Sequence, residues 1–189
     1  MSDLVVTLIG PDRPGLVEEV AAVVASHGGN WLESRMAQLA GKFAGILRVE
    51  ISHDKAESLL MALTALEERG LKIVGEPSGA TSPASIDAAI EASLGRTLDL
   101  ELVGLDRPGI VREISQLLAG SGANVEELST DRTSAPMSGE MLFVAKARVR
   151  LPNDSDLANL RSALERLAND LMVEIRLVET ALEAKGRKA

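Results

Sequence analysis

The chain of 189 residues carries 20 Lys and Arg against 28 Asp and Glu, a formal net charge of −8 at pH 7. Hydrophobic residues make up 46% and aromatics only 2%, so a packed core is within reach and must be aliphatic. The acidic balance argues against a direct, non-specific grip on nucleic acid, and no apolar run is long enough to span a membrane. Cysteine is absent, which removes disulfides, thiol catalysis and thiolate metal sites. The opening MSDLVV has neither a basic region nor a cleavable apolar segment, so a cytoplasmic protein is expected.

From Leu4 the run LVVTLI reads as a strand, followed by the turn GPDRPG. The next residues repeat with helical period: Leu16, Val20, Val23 and Val24 share one face, and Glu18 and Glu19 point away. His27-Gly28-Gly29 is a glycine stop. Two strands are expected at Asn30–Leu39 and Lys42–Ser52, split by Ala40-Gly41. In the second of them Phe43, Gly45, Leu47, Val49 and Ile51 alternate onto one face. A helix lined by Leu59, Leu63 and Leu66 stops at Gly70, and Leu71–Val74 is a short strand. The order is βαββαβ.

The second half repeats it. Thr97–Val103 reads as a strand, and the helix after it turns Ile110, Ile114, Leu117 and Leu118 inward. Gly122-Ala123-Asn124 stands where Gly29-Asn30 stood. Strands follow at Val125–Arg132 and Glu140–Leu151, joined by the longer loop TSAPMSGE. A helix with Leu157, Leu160, Leu164 and Leu167 inward leads to a last strand, Leu171–Glu179. Between the halves GEPSGATSPAS reads as a linker, and IDAAIEASLG after it as a helical turn or two. The expected organisation is therefore a domain over residues 1–76, a linker over 77–96, a second domain over 97–180 and a solvated tail over 181–189. The fold class is α+β, with each domain a ferredoxin-like four-stranded antiparallel sheet carrying two helices on one face. The bare sheet face and the edge strands invite cover, either from the other unit or from a second copy in a homodimer.

GPDRPGLV, from Gly10 to Val17, recurs as GLDRPGIV, from Gly104 to Val111. Each copy lies between the first strand and first helix of its unit. Asp12 and Asp106 are candidate N-caps, Pro14 and Pro108 suit a first helical turn, and Gly15 and Gly109 permit close approach of backbone or ligand. Helix capping alone accounts for such a pattern. The DRPG turn, the βαββαβ order and the small-residue-then-Asn step after the first helix resemble ACT domains, regulatory modules that bind amino acids in many metabolic enzymes. The resemblance covers Leu4–Glu76 and Thr97–Glu179. Two such domains with no catalytic partner, together with GGNWLESRMAQLAGKFAGILRV, resemble the glycine cleavage system transcriptional repressor family.

That resemblance implies ligand-binding roles for Gly10, Asp12, Arg13 and Asn30, and for Gly104, Asp106, Arg107 and Asn124. The implied ligand is a small amino acid, glycine or similar, held across an interface between two domains. Helix-end amides would take its α-carboxylate, and Asp and Asn oxygens would accept from its ammonium group. It further implies a non-catalytic co-repressor that needs no cofactor and restrains a DNA-binding transcription factor by complex formation. The alternative is a free-standing regulatory subunit that controls an amino-acid metabolic enzyme.

The remaining chemistry is sparse. His27 and His53 are the only histidines, far apart and without cysteine, so no metal site is expected. Neither neighbours a nucleophile turn, and no GxxxxGK[ST] or GxGxxG is present, so an enzyme is not expected. Trp31 is read as core or interface packing, and Glu33, Arg35 and Gln38 as a solvated or interface face.

Overall fold

In β1 (Ser2–Pro11) Leu4, Val6 and Leu8 are buried while the residues between them reach solvent, the period-2 pattern of a strand with one covered face. The computed structural model describes residues 2–77, 95–135 and 139–179, and the chain divides into two compact units. The first contains β1, α1 (Leu16–Ser26), β2 (Asn30–Leu39), β3 (Lys42–Ile51), α2 (Ala56–Thr64) and β4 (Lys72–Pro77), with short 3-10 segments on either side of α2. Its sheet is antiparallel throughout, in the order β2-β3-β1-β4. Leu16, Val20 and Val24 of α1 and Leu59 and Leu63 of α2 meet Leu47, Val49 and Ile51 of β3 in one aliphatic core. Trp31, Met36 and Phe43 pack against its margin.

The second unit contains β5 (Gly95–Leu105), α3 (Ile110–Gly120), β6 (Asn124–Ser134), β7 (Met141–Pro152), α4 (Leu157–Leu171) and β8 (Val173–Glu179). Its sheet order, β6-β7-β5-β8, repeats the first. Leu98, Leu100 and Leu102 lie under Ile114 and Leu118 of α3 and Leu160 and Leu164 of α4. Both units are thus four-stranded antiparallel sheets with helices, the ferredoxin-like α+β arrangement expected of the sequence.

Several details differ from the pattern reading. Leu171, expected to open the last strand, closes α4 instead, because Met172 adopts the left-handed conformation that ends the helix. β4 and β5 run longer than their apolar residues suggest, since the pairing continues through Leu4↔Pro77 and Gly95↔Pro152. Ala40 and Gly41 both have positive φ (48° and 75°), the geometry of a tight two-residue hairpin turn. Residues 78–94, which hold most of the expected linker and of IDAAIEASLG, lie outside the described residues, as do the tail and the centre of the TSAPMSGE loop, whereas Pro77 closes β4 and Gly95 and Arg96 open β5.

Candidate functional site

The two repeated turns share a frame that the strands impose. Asp12 donates its backbone N–H to Gly41 O at 3.0 Å, and Asp106 donates to Met141 O at 2.9 Å, so each loop is pinned to the β-hairpin beside it. The expected aspartate caps are not formed. α1 begins at Leu16 and α3 at Ile110, and the capping residues are Gly15 and Gly109, both left-handed and without a side-chain cap. Pro14 and Pro108 accordingly precede the helices rather than opening them. The physical reason is the loop itself: with its N–H tied to the hairpin, the aspartate is held three residues upstream of the capping glycine. The first-turn amides of each helix therefore keep no side-chain acceptor.

The arginines of the two turns are engaged. Arg13 reaches Glu19 in a two-pronged ion pair, Nη1 to Oε1 at 2.7 Å and Nη2 to Oε2 at 2.8 Å. This hydrogen bond holds the Glu19 carboxyl below the usual carboxylate range, against an opposing effect of desolvation. Arg69 adds a longer contact to Glu19 at 3.9 Å. In the second unit Arg107 meets Glu113 through one nitrogen only, at 3.3 and 3.2 Å. Glu19 and Glu113 escaped the sequence reading, which placed Glu19 on the outer face of the helix. The signal was there: each follows its arginine at the same spacing in both repeats.

The aspartates differ between units. Asp106 Oδ2 pairs with Arg132 Nε at 2.7 Å. Arg132 stands opposite Phe143 in the second sheet, and the position opposite Phe43 in the first is Gln38. Asp12 is exposed, and its unit offers no arginine at that position to neutralise it.

Gly10 and Gly104 are fixed by packing. A Cβ at Gly10 would lie 2.9 Å from Gly70 O and from Leu71 Cδ2; one at Gly104 would lie 2.2 Å from Val173 Cγ1. Both face the start of the neighbouring edge strand, β4 or β8, rather than open loop space.

Asn30 and Asn124 are exposed at the first residues of β2 and β6. Asn30 lies opposite Glu50, which lies opposite Asp3, at the far end of β1 from the Asp12 loop. β1 has 10 residues, so the two ends are roughly 30 Å apart at about 3.3 Å per residue. The second unit repeats this separation, with Asn124 opposite Arg150 and Arg150 opposite Thr97. Within a unit the structure does not bring the loop and the asparagine together. Of the other residues noted in the sequence, Trp31 packs on the core, His27 Nδ1 lies 2.9 Å from Val23 O at the end of α1, and His53 Nδ1 lies 3.0 Å from Ser2 Oγ.

Tandem ferredoxin-like units with matching strand-to-helix turns place the chain among α+β proteins built from a duplicated βαββαβ domain. ACT-domain models match residues 2–74 and 95–173, and the chain belongs to the ACT-domain family, with two such domains. It is 26% identical over 174 residues to the glycine cleavage system transcriptional repressor of Escherichia coli (strain K12), covering 89% of this chain and 85% of that one. A crystal structure of an unknown protein from Galdieria sulphuraria is 30% identical, with a TM-score of 0.81 over 95% of this chain and 99% of its own. A second solved structure, 20% identical, has the same fold with a TM-score of 0.67 over 95% of this chain and 97% of its own.

Proposed function

We propose that the chain is a non-catalytic, amino-acid-responsive regulator, a co-repressor of the glycine cleavage system that acts in the cytoplasm through a DNA-binding partner protein. The observation that carries the ligand half of this reading is the Asp12 loop. It combines an exposed carboxylate, first-turn amides that no side chain caps, and a Glu19 whose charge Arg13 offsets. Such a loop offers an acceptor for an ammonium group beside donors for a carboxylate, the two ends of glycine or a similar small amino acid. In the second unit Arg132 already occupies Asp106, so the first unit's loop is the stronger candidate. The ligand set is completed by an asparagine from a second copy of the chain, Asn30 or Asn124.

The partner half rests on the E. coli repressor, whose relationship extends over nearly the whole chain. With a net charge of −8, reading DNA is left to the partner. Ligand binding then biases the complex only to the extent that its affinity differs between the free and bound states. The test is affinity capture of the tagged full chain with and without glycine, with the retained proteins identified. A transcription factor whose retention changes with glycine supports the reading. Retention of an amino-acid biosynthetic enzyme instead would transfer the same ligand logic to a free-standing regulatory subunit and overturn the co-repressor assignment.

A further inference from the structure

The second unit contains an apolar cavity of about 140 Å³ between α3 and the β6–β7 side of its sheet. Ile114 and Leu118 form its roof, Ala145 and Ala147 its floor, and Val125 and Leu128 its mouth at the edge strand. Ser115 supplies the one side-chain hydroxyl among the lining residues. The mouth leaves hydrophobic surface in water: Leu128 is 52% exposed, Val111 42% and Val125 39%.

The first unit explains why this space exists. Strand pairing equates Val125, opposite Val149, with Trp31, opposite Val49. It likewise equates Thr130, opposite Ala145, with Met36, opposite Gly45. Ala147 lies opposite Leu100 and Leu47 opposite Val6, so the floor position is Leu in one unit and Ala in the other. In the first unit Trp31, Met36 and Leu47 fill the space, and Met36 lies directly over Gly45. In the second, Val125 and Ala147 leave it open, and Leu128, which stands opposite Ala147 where the first unit has Ser34 opposite Leu47, stays half exposed at the mouth. The same backbone thus carries a filled and an unfilled version of one site.

We infer that the cavity beneath α3 is a binding site for an uncharged apolar molecule about the size of one six-membered ring. Its volume matches that of a Leu/Ile/Phe-lined cavity of about 150 Å³, which stays dry and takes up benzene. The nearly hydrocarbon lining excludes charged groups, which would lose their hydration with no partner in return. The site is separate from the Asp12 loop and goes beyond the amino-acid reading.

Methyl NMR of the full chain titrated with benzene tests it. Saturable shifts are expected at Ile114, Leu118, Val125 and Ala145, with Val20 and Leu47 of the first unit unmoved. Ala147→Leu and Val125→Trp, which install the first unit's residues, should each abolish the shifts while the methyl spectrum stays dispersed. Asp12→Ala should leave them unchanged, which separates failure here from failure of the amino-acid site. Absence of saturable shifts, shifts shared equally by the first unit, or persistence in a folded filled variant would overturn the proposal. So would unfolding of both filled variants, because the same residues are accommodated in the first unit.

Discussion

Replacing Gly104 by Ala should damage the second unit through a clash that no side-chain rotation relieves. The added Cβ would lie 2.2 Å from Val173 Cγ1, 2.7 Å from Val173 Cβ and 3.1 Å from Val173 Cα. A new valine rotamer moves only the first of these, so the start of β8 must shift away from β5, where Gly104 and Val173 are paired. Overpacking of this kind costs about 1–3 kcal/mol, and the involvement of backbone places Gly104→Ala at the upper end. For a domain of this size each kcal/mol lowers Tm by roughly 4–8 °C, so a loss on the order of 10–20 °C is expected. Gly10→Ala should cost less, because its two nearest contacts lie at 2.9 Å and one of them, Leu71 Cδ2, is the end of a side chain while only the other, Gly70 O, is backbone. Gly15→Ala serves as a control: nothing lies within 4 Å, and the φ of 90° alone should cost about 1–2 kcal/mol. Thermal melts combined with hydrogen exchange would locate the damage, with protection lost in β5 and β8 and retained in β1 and β4. A Gly104→Ala protein within about 0.5 kcal/mol of wild type, the range of neutral surface changes, would refute the packing account of this glycine.

Asp156 Oδ1 accepts from Ala158 N at 2.9 Å and Asn159 N at 3.0 Å, so Asp156→Ala should cost about 1 kcal/mol in urea denaturation as α4 loses its N-cap. The Arg13–Glu19 pair lowers the pKa of Glu19 in the folded state, so its stabilisation is present above the ordinary carboxylate range and lost as pH falls through the lowered value. The stability difference between wild type and Glu19→Gln should therefore shrink on acidification; a gap that stays constant from neutral pH into acid would contradict the pairing. In a gel-shift assay at physiological salt the purified chain should leave DNA mobility unchanged, as its charge of −8 demands. Sequence-specific retardation by the chain alone would reveal a reading surface that its net charge does not suggest.

Both units of the fold were legible because their helices and the strands β1, β3, β5 and β7 carry regular apolar periods, whereas the edge strands β2 and β6 are largely exposed. Leu47, Val49 and Ile51 could belong only to a strand, and Leu16, Val20 and Val24 only to a helix face. The doubled octapeptide supplied the internal repeat. The loop chemistry was less legible, since it depends on tertiary neighbours. Asp12 resembled an N-cap until its N–H was seen to be tied to Gly41 O, a contact between distant parts of the chain. The packing of Gly10 was equally hidden, because the Gly70 and Leu71 atoms that its side chain would meet come from a distant part of the chain. Arg132 gave no local sign that it would close on Asp106, because β6 reaches that loop only through the sheet. The cavity beneath α3 was also hidden, because it is a deficit of volume: Ala147 and Val125 look unremarkable until matched to Leu47 and Trp31.

Isothermal titration of glycine into the full chain, alongside Asp12→Ala, Asn30→Ala and Asn124→Ala, tests the central claim most directly. Asn30 and Asn124 are exposed and outside any helix cap, so their loss should spare the fold. The account predicts saturable binding by wild type, loss of it in Asp12→Ala, and loss in at least one asparagine variant whose melting curve is unchanged. Absence of binding for glycine and every other small amino acid, or undiminished binding in all three variants, would contradict it.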